Sequence, residues 1–184
     1  MGLQEEKIAQ AAAYLVQKRG QGFMSYMKLI KLLYLADRES LMTRGRPITF
    51  DKFCAMPHGM VLSGTLDLIN GEEPGPNWNE CFELFGNHEV KLKHQPSTVK
   101  LSKAELKILD SVFERFGRKT RWEIRDFTHT LPEWSNPKGS SMPVEFSDVL
   151  KHSERTPAEI ESIKDELVYL DALASIPSAV AVAK

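Results

Sequence analysis

The stretch YMKLIKLLYLADRESLMTRGRPI, residues 26–48, decides the fold. Its apolar residues recur every three or four positions, which predicts one long helix over about residues 24–43. Gly45 and Pro47 follow and are typical of a helix end. An acid, Asp37, lies at the centre of the apolar face of this helix. We therefore expect a buried helix that carries a carboxylate on its inner side.

The carboxylate of Asp37 has two interpretations. A buried charge without partners costs several kcal/mol, so Asp37 must accept hydrogen bonds or pair with a cation. In the structural interpretation, Asp37 is an anchor that accepts hydrogen bonds from a distant loop and fixes its geometry. In the catalytic interpretation, it converges with His58 and His129, which are predicted to lie near helix ends. The sequence leaves both interpretations open.

The composition is that of one soluble globular domain. The chain has 184 residues, a formal net charge of -1 and 42% hydrophobic residues. A near-neutral charge gives no global attraction to nucleic acid or to an anionic membrane. No segment reaches the run of about 20 apolar residues that spans a bilayer, and the first residues resemble an amphipathic helix rather than a signal peptide. Because Cys54 and Cys81 form no Cys-x-x-Cys pair, we expect reduced thiols and a cytoplasmic protein.

The rest of the chain is predicted to be mostly helical. Alternating apolar residues on either side of Gly86 and Asn87 predict one hairpin over residues 82–92. The segment PITFDKFCAM is either a brief strand or an extended loop. Helices are predicted for residues 4–19, 24–43, 57–70, 102–117, 120–130, 145–153 and 156–174. The predicted fold class is mainly α: a single compact helical domain with one small β-hairpin over residues 1–175, followed by an apolar tail, residues 176–184.

Three segments resemble the Panacea domain, the SocA-like antitoxin family. They are KLIKLLYLADRESLMTRGRPI (residues 28–48), FCAMPHGMV (residues 53–61) and DFTHTLPEW (residues 126–134). The residues that carry the resemblance are Lys28, Lys31, Tyr34, Asp37, His58, Gly59, Thr128, His129 and Trp134. The family has Gly-Pro-Val where this chain has Gly-Met-Val, and Pro57 supplies a rigid residue two positions earlier.

The resemblance implies a bacterial or phage toxin–antitoxin role, with the gene on a prophage or another mobile element. Members of this family neutralise unrelated toxins by direct protein–protein contact. An adaptor that delivers its toxin to a Clp protease is a variant of this role. The family is not known as a group of enzymes, so we expect no catalytic residues and no cofactor.

The toxin-contacting surface is a separate hypothesis. Lys28, Lys31 and Arg38 lie opposite the apolar face of the second helix, and a basic stripe there would suit an acidic partner. The apolar tail, with Val180 and Val182, is a segment that could order on binding. We therefore expect both regions to contact the toxin.

A basic corner near residue 117 gives the alternative function, a DNA-binding regulator. Gly117 separates two predicted helices, and four basic residues follow it beside a tryptophan: Arg118, Lys119, Arg121 and Arg125. The same residues could instead form a solvated face or the rim of an interface with an acidic protein. Trp134 either packs on the core or anchors an interface.

Other chemistry has no support in the sequence. The five histidines show no metal-ligand spacing, so we expect no metal site. The chain lacks a phosphate-binding loop, a dinucleotide fingerprint and a Gly-x-Ser-x-Gly motif.

Overall fold

Helix α2 (Tyr26–Arg44) is the central element of the fold. The structure is a computed structural model that describes residues 4–174. Helices and strands from both halves of the chain pack against α2, so almost every side of it is covered. The helix ends at Gly45, whose φ of 76° is left-handed and whose N–H donates to the carbonyl of Leu41. The predicted glycine end of this helix is therefore present.

The elements follow one another in short steps. The helices are α1 (Glu5–Lys18), α2 (Tyr26–Arg44), α3 (Ser63–Asn70), α4 (Pro76–Cys81), α5 (Lys103–Phe116), α6 (Arg121–His129), α7 (Phe146–Leu150) and α8 (Pro157–Ala174). The strands are β1 (Phe23–Ser25), β2 (Phe53–Met56), β3 (Gly59–Leu62), β4 (Phe82–Phe85), β5 (Glu89–Leu92) and β6 (Met142–Val144).

Local capping explains why α5 and α6 begin where they do. The Ser102 hydroxyl accepts a hydrogen bond from the N–H of Glu105, and the Glu105 carboxylate accepts one from the N–H of Ser102. Thr120 and Glu123 make the same reciprocal pair at the start of α6. Each pair satisfies two N–H groups that a helix leaves unpaired at its first turn.

The first sheet contains the predicted hairpin and one further strand. β4 and β5 pair antiparallel, with Leu84 opposite Val90. β1 pairs with the other edge of β5, with Met24 opposite Val90. The sequence placed residues 24 and 25 in the following helix, whereas the structure places them in a strand because their partners come from a segment more than sixty residues away.

The second sheet replaces a predicted helix. The segment from Pro57 was expected to open a helix, but Pro57 and His58 form the turn between β2 and β3, and helix α3 begins only at Ser63. β6 pairs with the outer edge of β2. All four residues of β3 are buried, so the strand lacks the apolar–polar alternation that would distinguish it from a buried helix.

The predicted fold class is therefore wrong. Of the described residues, 54% are helical and 13% lie in strands, and the strands form two three-stranded antiparallel sheets. The fold is mixed α/β rather than mainly α with one hairpin. The division into one domain and a tail stays a prediction, because residues 176–184 lie outside the described residues.

Candidate functional site

The two lysines of α2 are buried and Arg38 is partly buried, which contradicts the outer position predicted for these three residues. Lys28 is 7% exposed and Lys31 is 1% exposed. Arg38 is partly buried and pairs with Glu133. A helical wheel assigns the polar side of a helix to solvent, but here α5, α6 and β3 cover that side. The three side chains do not form an exposed stripe, and the other predicted toxin-contacting residues, Val180 and Val182, lie outside residues 4–174.

Lys28 fixes the corner between α5 and α6. Its ammonium Nζ donates to the carbonyls of Gly117 at 2.6 Å and Lys119 at 2.7 Å. These carbonyls lie where α5 ends, at the negative pole of the helix dipole. Burial, followed by the positive charge of Arg19, lowers the pKa of Lys28. The side chain therefore holds the predicted DNA-binding corner from inside the protein.

Lys31 lies under the turn between β2 and β3. Its Nζ donates to the Met60 carbonyl at 3.1 Å. Burial, followed by the charge of Arg125, lowers the pKa of Lys31 to about 7. Gly59 has a φ of 90°, and a Cβ atom at this position would overlap the Thr128 hydroxyl and lie 3.2 Å from Lys31 Nζ. Only glycine lets this turn approach both α2 and α6 so closely.

His129 and Trp134 complete the same region. Their rings are stacked with centroids 4.2 Å apart. The indole Nε1 of Trp134 donates to the Met56 carbonyl at 3.2 Å, which fixes the loop after α6 to the end of β2. Burial, followed by the charges of Lys31 and Arg125, lowers the pKa of His129.

Three segments that are distant in sequence therefore meet at one place. We call this group the motif cluster; its members are Lys31, Gly59, Thr128, His129 and Trp134. His58 lies beside it in the exposed turn. In the motif cluster a buried ammonium group, a close backbone approach and an aromatic stack join α2, the β2–β3 turn and α6.

Asp37 lies away from the motif cluster. It is fully buried, and its Oδ1 accepts hydrogen bonds from the N–H groups of Ile48 at 2.9 Å and Thr49 at 3.0 Å. Its Oδ2 accepts a hydrogen bond from the Thr49 hydroxyl. Burial raises the pKa of Asp37 to about 7, although the hydrogen bonds from Thr49 and Ile48 oppose the rise. The carboxylate thus holds the loop that follows α2.

The catalytic convergence of Asp37 with His58 and His129 is therefore contradicted. The donors to Asp37 all come from residues 48 and 49, and neither histidine contacts it. His129 belongs to the motif cluster, where it stacks on Trp134. His58 lies in the turn between β2 and β3.

Glu133 and Asp51 are buried acids that the sequence patterns did not identify as such. Glu133 accepts hydrogen bonds from the Tyr34 hydroxyl at 2.6 Å and from Arg38 Nε at 2.7 Å. Burial alone would raise the pKa of Glu133, but the hydrogen bonds from Arg38 and Tyr34 outweigh burial and lower it. Asp51 accepts from the N–H groups of Gly64 and Thr65, the first turn of α3. Asp51 lies 13 and 14 residues before these two partners, so no local motif identifies it.

The basic residues after Gly117 lie on or beside the exposed start of α6. The guanidinium groups of Arg121 and Arg125 lie 4.8 and 5.0 Å from the centre of the Trp122 ring. Arg125 also pairs with Asp126. Arg118 is exposed and Lys119 is partly buried, so the predicted patch is present on the surface but is interleaved with acids.

Among residues 4–174, no group of three or more His, Cys, Asp or Glu side chains is arranged to hold a metal ion. Within the same residues, no helix combines the length and the apolar character that crossing a membrane requires.

The fold is that of a small mixed α/β domain. The residues of the motif cluster hold α2, the β2–β3 turn and α6 together in this domain. The chain matches the family described as "Antitoxin SocA-like, Panacea domain" over residues 29–135, and it belongs to this family. The matched residues run from the start of α2 to the loop after α6, so they contain the whole motif cluster. No curated protein and no solved structure matches the chain.

Proposed function

We propose that this protein is an antitoxin that neutralises a cognate protein toxin by direct contact. The observation that carries the proposal is membership of the SocA-like antitoxin family, over residues 29–135. We place it in the cytoplasm of a bacterium, where the gene belongs to a prophage or another mobile element.

The contacts of the motif residues support a binding protein rather than an enzyme. Lys28 and Lys31 donate to main-chain carbonyls, and Trp134 does the same. Asp37 accepts from main-chain N–H groups. Side chains that are occupied in fixing the backbone suit a domain that presents a rigid surface to a partner.

Neutralisation has two possible routes, and one experiment separates them. The neighbouring toxic reading frame is induced in the presence and absence of this protein, and growth, co-purification and toxin half-life are measured. Rescue with a stable complex and a long-lived toxin supports direct blocking. Rescue in which the toxin half-life shortens only in cells with Clp protease supports delivery to that protease.

The same experiment includes a negative control and a result that would refute the proposal. An Asp37→Ala chain, which is expected to be unstable, serves as the negative control and should not rescue growth. If the wild-type chain accumulates as a folded protein, does not bind the toxin and leaves the toxin fully active, the antitoxin proposal is wrong.

A further inference from the structure

Trp122 is an exposed aromatic residue with a prearranged environment. Its side chain is 46% exposed, and it lies at the second position of α6. The guanidinium carbons of Arg121 and Arg125 lie 4.8 and 5.0 Å from its ring centroid, within the range of a cation–π interaction. Tryptophan and arginine are the residues most enriched at the energetic centres of protein interfaces.

The same face of α6 continues to the motif cluster. Trp122, Arg125 and His129 follow the i, i+3, i+7 spacing that places side chains on one side of a helix. His129 in turn stacks on Trp134. We call this surface the tryptophan face; its residues are Arg121, Trp122, Arg125, His129 and Trp134.

The backbone beneath the tryptophan face is held from several directions. Thr120 and Glu123 form the capping box that fixes the start of α6. Lys28 holds the preceding corner through two carbonyls. Ile124 and Thr128 are fully buried on the inner side of the helix. A surface that is already ordered loses little conformational entropy on binding, so its contacts yield more affinity.

Basic side chains outnumber acidic ones at the tryptophan face. Arg121 and Arg125 lie at its surface, and Lys31 lies below it. Asp126 is the acid that pairs with Arg125. Burial, followed by the charges of Lys31 and Arg125, lowers the pKa of His129. The Nε2 atom of His129 is buried and has no hydrogen-bond partner among the described residues.

We propose that the tryptophan face binds the toxin and that the feature it recognises is an acidic segment of the toxin surface. The inference rests on the proposed antitoxin function. Carboxylates of the partner pair with Arg121 and Arg125, and the indole of Trp122 supplies the apolar contact between them. A protein partner is favoured over DNA because two guanidinium groups lie over an exposed indole, and tryptophan and arginine are the residue types most enriched at the energetic centres of protein interfaces.

The test compares two variants of the tryptophan face with two matched controls in the full chain. The variants are Trp122→Ala and the charge reversal Arg121→Glu/Arg125→Glu. The controls are Tyr169→Ala, which truncates an exposed aromatic on α8, and Lys103→Glu/Lys107→Glu, which reverses the same number of charges on the exposed side of α5. Circular dichroism and thermal unfolding verify that every chain is folded.

The binding probe is the purified product of the neighbouring toxic reading frame. We expect Trp122→Ala and the double reversal each to weaken binding by at least about 30-fold and to lose protection against the toxin. The double reversal should also remove most of the dependence of affinity on NaCl concentration. Both controls should bind within about threefold of the wild type, since surface changes away from a contact have small effects.

Three other results would overturn the inference, and they are distinguishable. If the wild type and both tryptophan-face variants bind the toxin equally, the antitoxin function stands and the inferred surface is wrong. If the folded wild type neither binds nor protects, the proposed function fails and the inference fails with it. If the variants keep toxin binding but lose binding to a duplex from their own promoter, relative to an unrelated duplex of equal length, the face is a DNA contact.

Discussion

Helix α2 carries two buried charges that the fold treats differently. Asp37 accepts three hydrogen bonds from Ile48 and Thr49, two of them from main-chain N–H groups. Lys31, six positions earlier on the same helix, donates a single hydrogen bond within residues 4–174, to the Met60 carbonyl. Both side chains are inaccessible to solvent, and burial is the largest influence on the pKa of each.

Burial is common to both groups, and the number of hydrogen-bond partners is what distinguishes them. The Asp37 carboxylate has partners for both oxygens, so removing it would strand several donors. The Lys31 ammonium uses one of its three protons, so much of its desolvation cost is uncompensated. The Asp37 carboxyl group therefore anchors the loop after α2, whereas the Lys31 ammonium lies behind the tryptophan face with a single hydrogen bond.

The largest expected effect is the loss of the carboxylate. Asp37→Ala leaves three donors buried without an acceptor, and we expect a loss of at least about 3 kcal/mol in the free energy of unfolding. Urea denaturation measures it, with Asp165→Ala, an exposed acid on α8, as the control that should change stability by less than about 0.5 kcal/mol. Equal stability of the two variants would show that Asp37 does not anchor the loop after α2.

The second largest effect on stability is expected at Gly59, which packs closely against Thr128 and Lys31. Gly59→Ala forces a side chain onto a φ of 90° and into the Thr128 hydroxyl, and we expect a loss of about 2 to 3 kcal/mol. Gly86→Ala, which also has a positive φ but open space around it, should cost only about 1 kcal/mol. In a Thr128→Ala background the cost of Gly59→Ala should fall, since the overlap is removed. A double-mutant cycle that shows no coupling would contradict the contact.

A smaller effect of opposite sign is expected for the buried ammonium. Lys31→Met keeps the length of the side chain and removes an incompletely solvated charge, so we expect a gain of about 1 kcal/mol at pH 6. Urea denaturation at pH 6 measures it, with Lys107→Met as the surface control. A loss of stability in Lys31→Met would mean that the single hydrogen bond to Met60 outweighs desolvation, and the contrast with Asp37 would disappear.

The pH dependence of stability provides the finest comparison. The pKa of Asp37 is raised to about 7, so the folded state binds more protons than the unfolded state, and stability falls as pH rises from about 4 to 7. The pKa of Lys31 is lowered to about 7, so the unfolded state binds more protons, and stability rises between about pH 7 and 10. Subtracting the profile of Asp37→Asn, or of Lys31→Met, from the wild-type profile isolates each window. A flat difference in either window would contradict the corresponding shift.

The sequence predicted the elements whose signals are local. The helices that became α1, α2, α5, α6 and α8 carry both an apolar periodicity and their own start or end residues. Thr156 and Glu159 form a reciprocal cap at the start of α8, a signal that lies within four residues of the sequence. The hairpin of β4 and β5 was also predicted from neighbouring residues, because its two strands adjoin the turn that joins them.

The remainder of the fold depends on partners that are distant in the chain. β1 and β6 are strands because they pair with β5 and β2, and neither has a strand pattern of its own. At the candidate site, the wheel placed Asp37 on a buried side, but it placed Lys28 and Lys31 outside. A wheel shows which side of a helix is more polar, and it gives no information on whether other elements cover that side.

The buried contacts of α2 also differ in how far along the chain they reach. Asp37 and Thr49 are 12 residues apart, whereas Lys28 and Lys119 are 91 residues apart. Short loops close at a smaller entropic cost, so we expect the Asp37 contact to form before the Lys28 contact during folding. A chain still leaving the ribosome therefore acquires the loop after α2 well before α6 is docked. The tryptophan face is complete only after α6 has docked, so the surface that we propose to bind the toxin is absent from a partly synthesised chain.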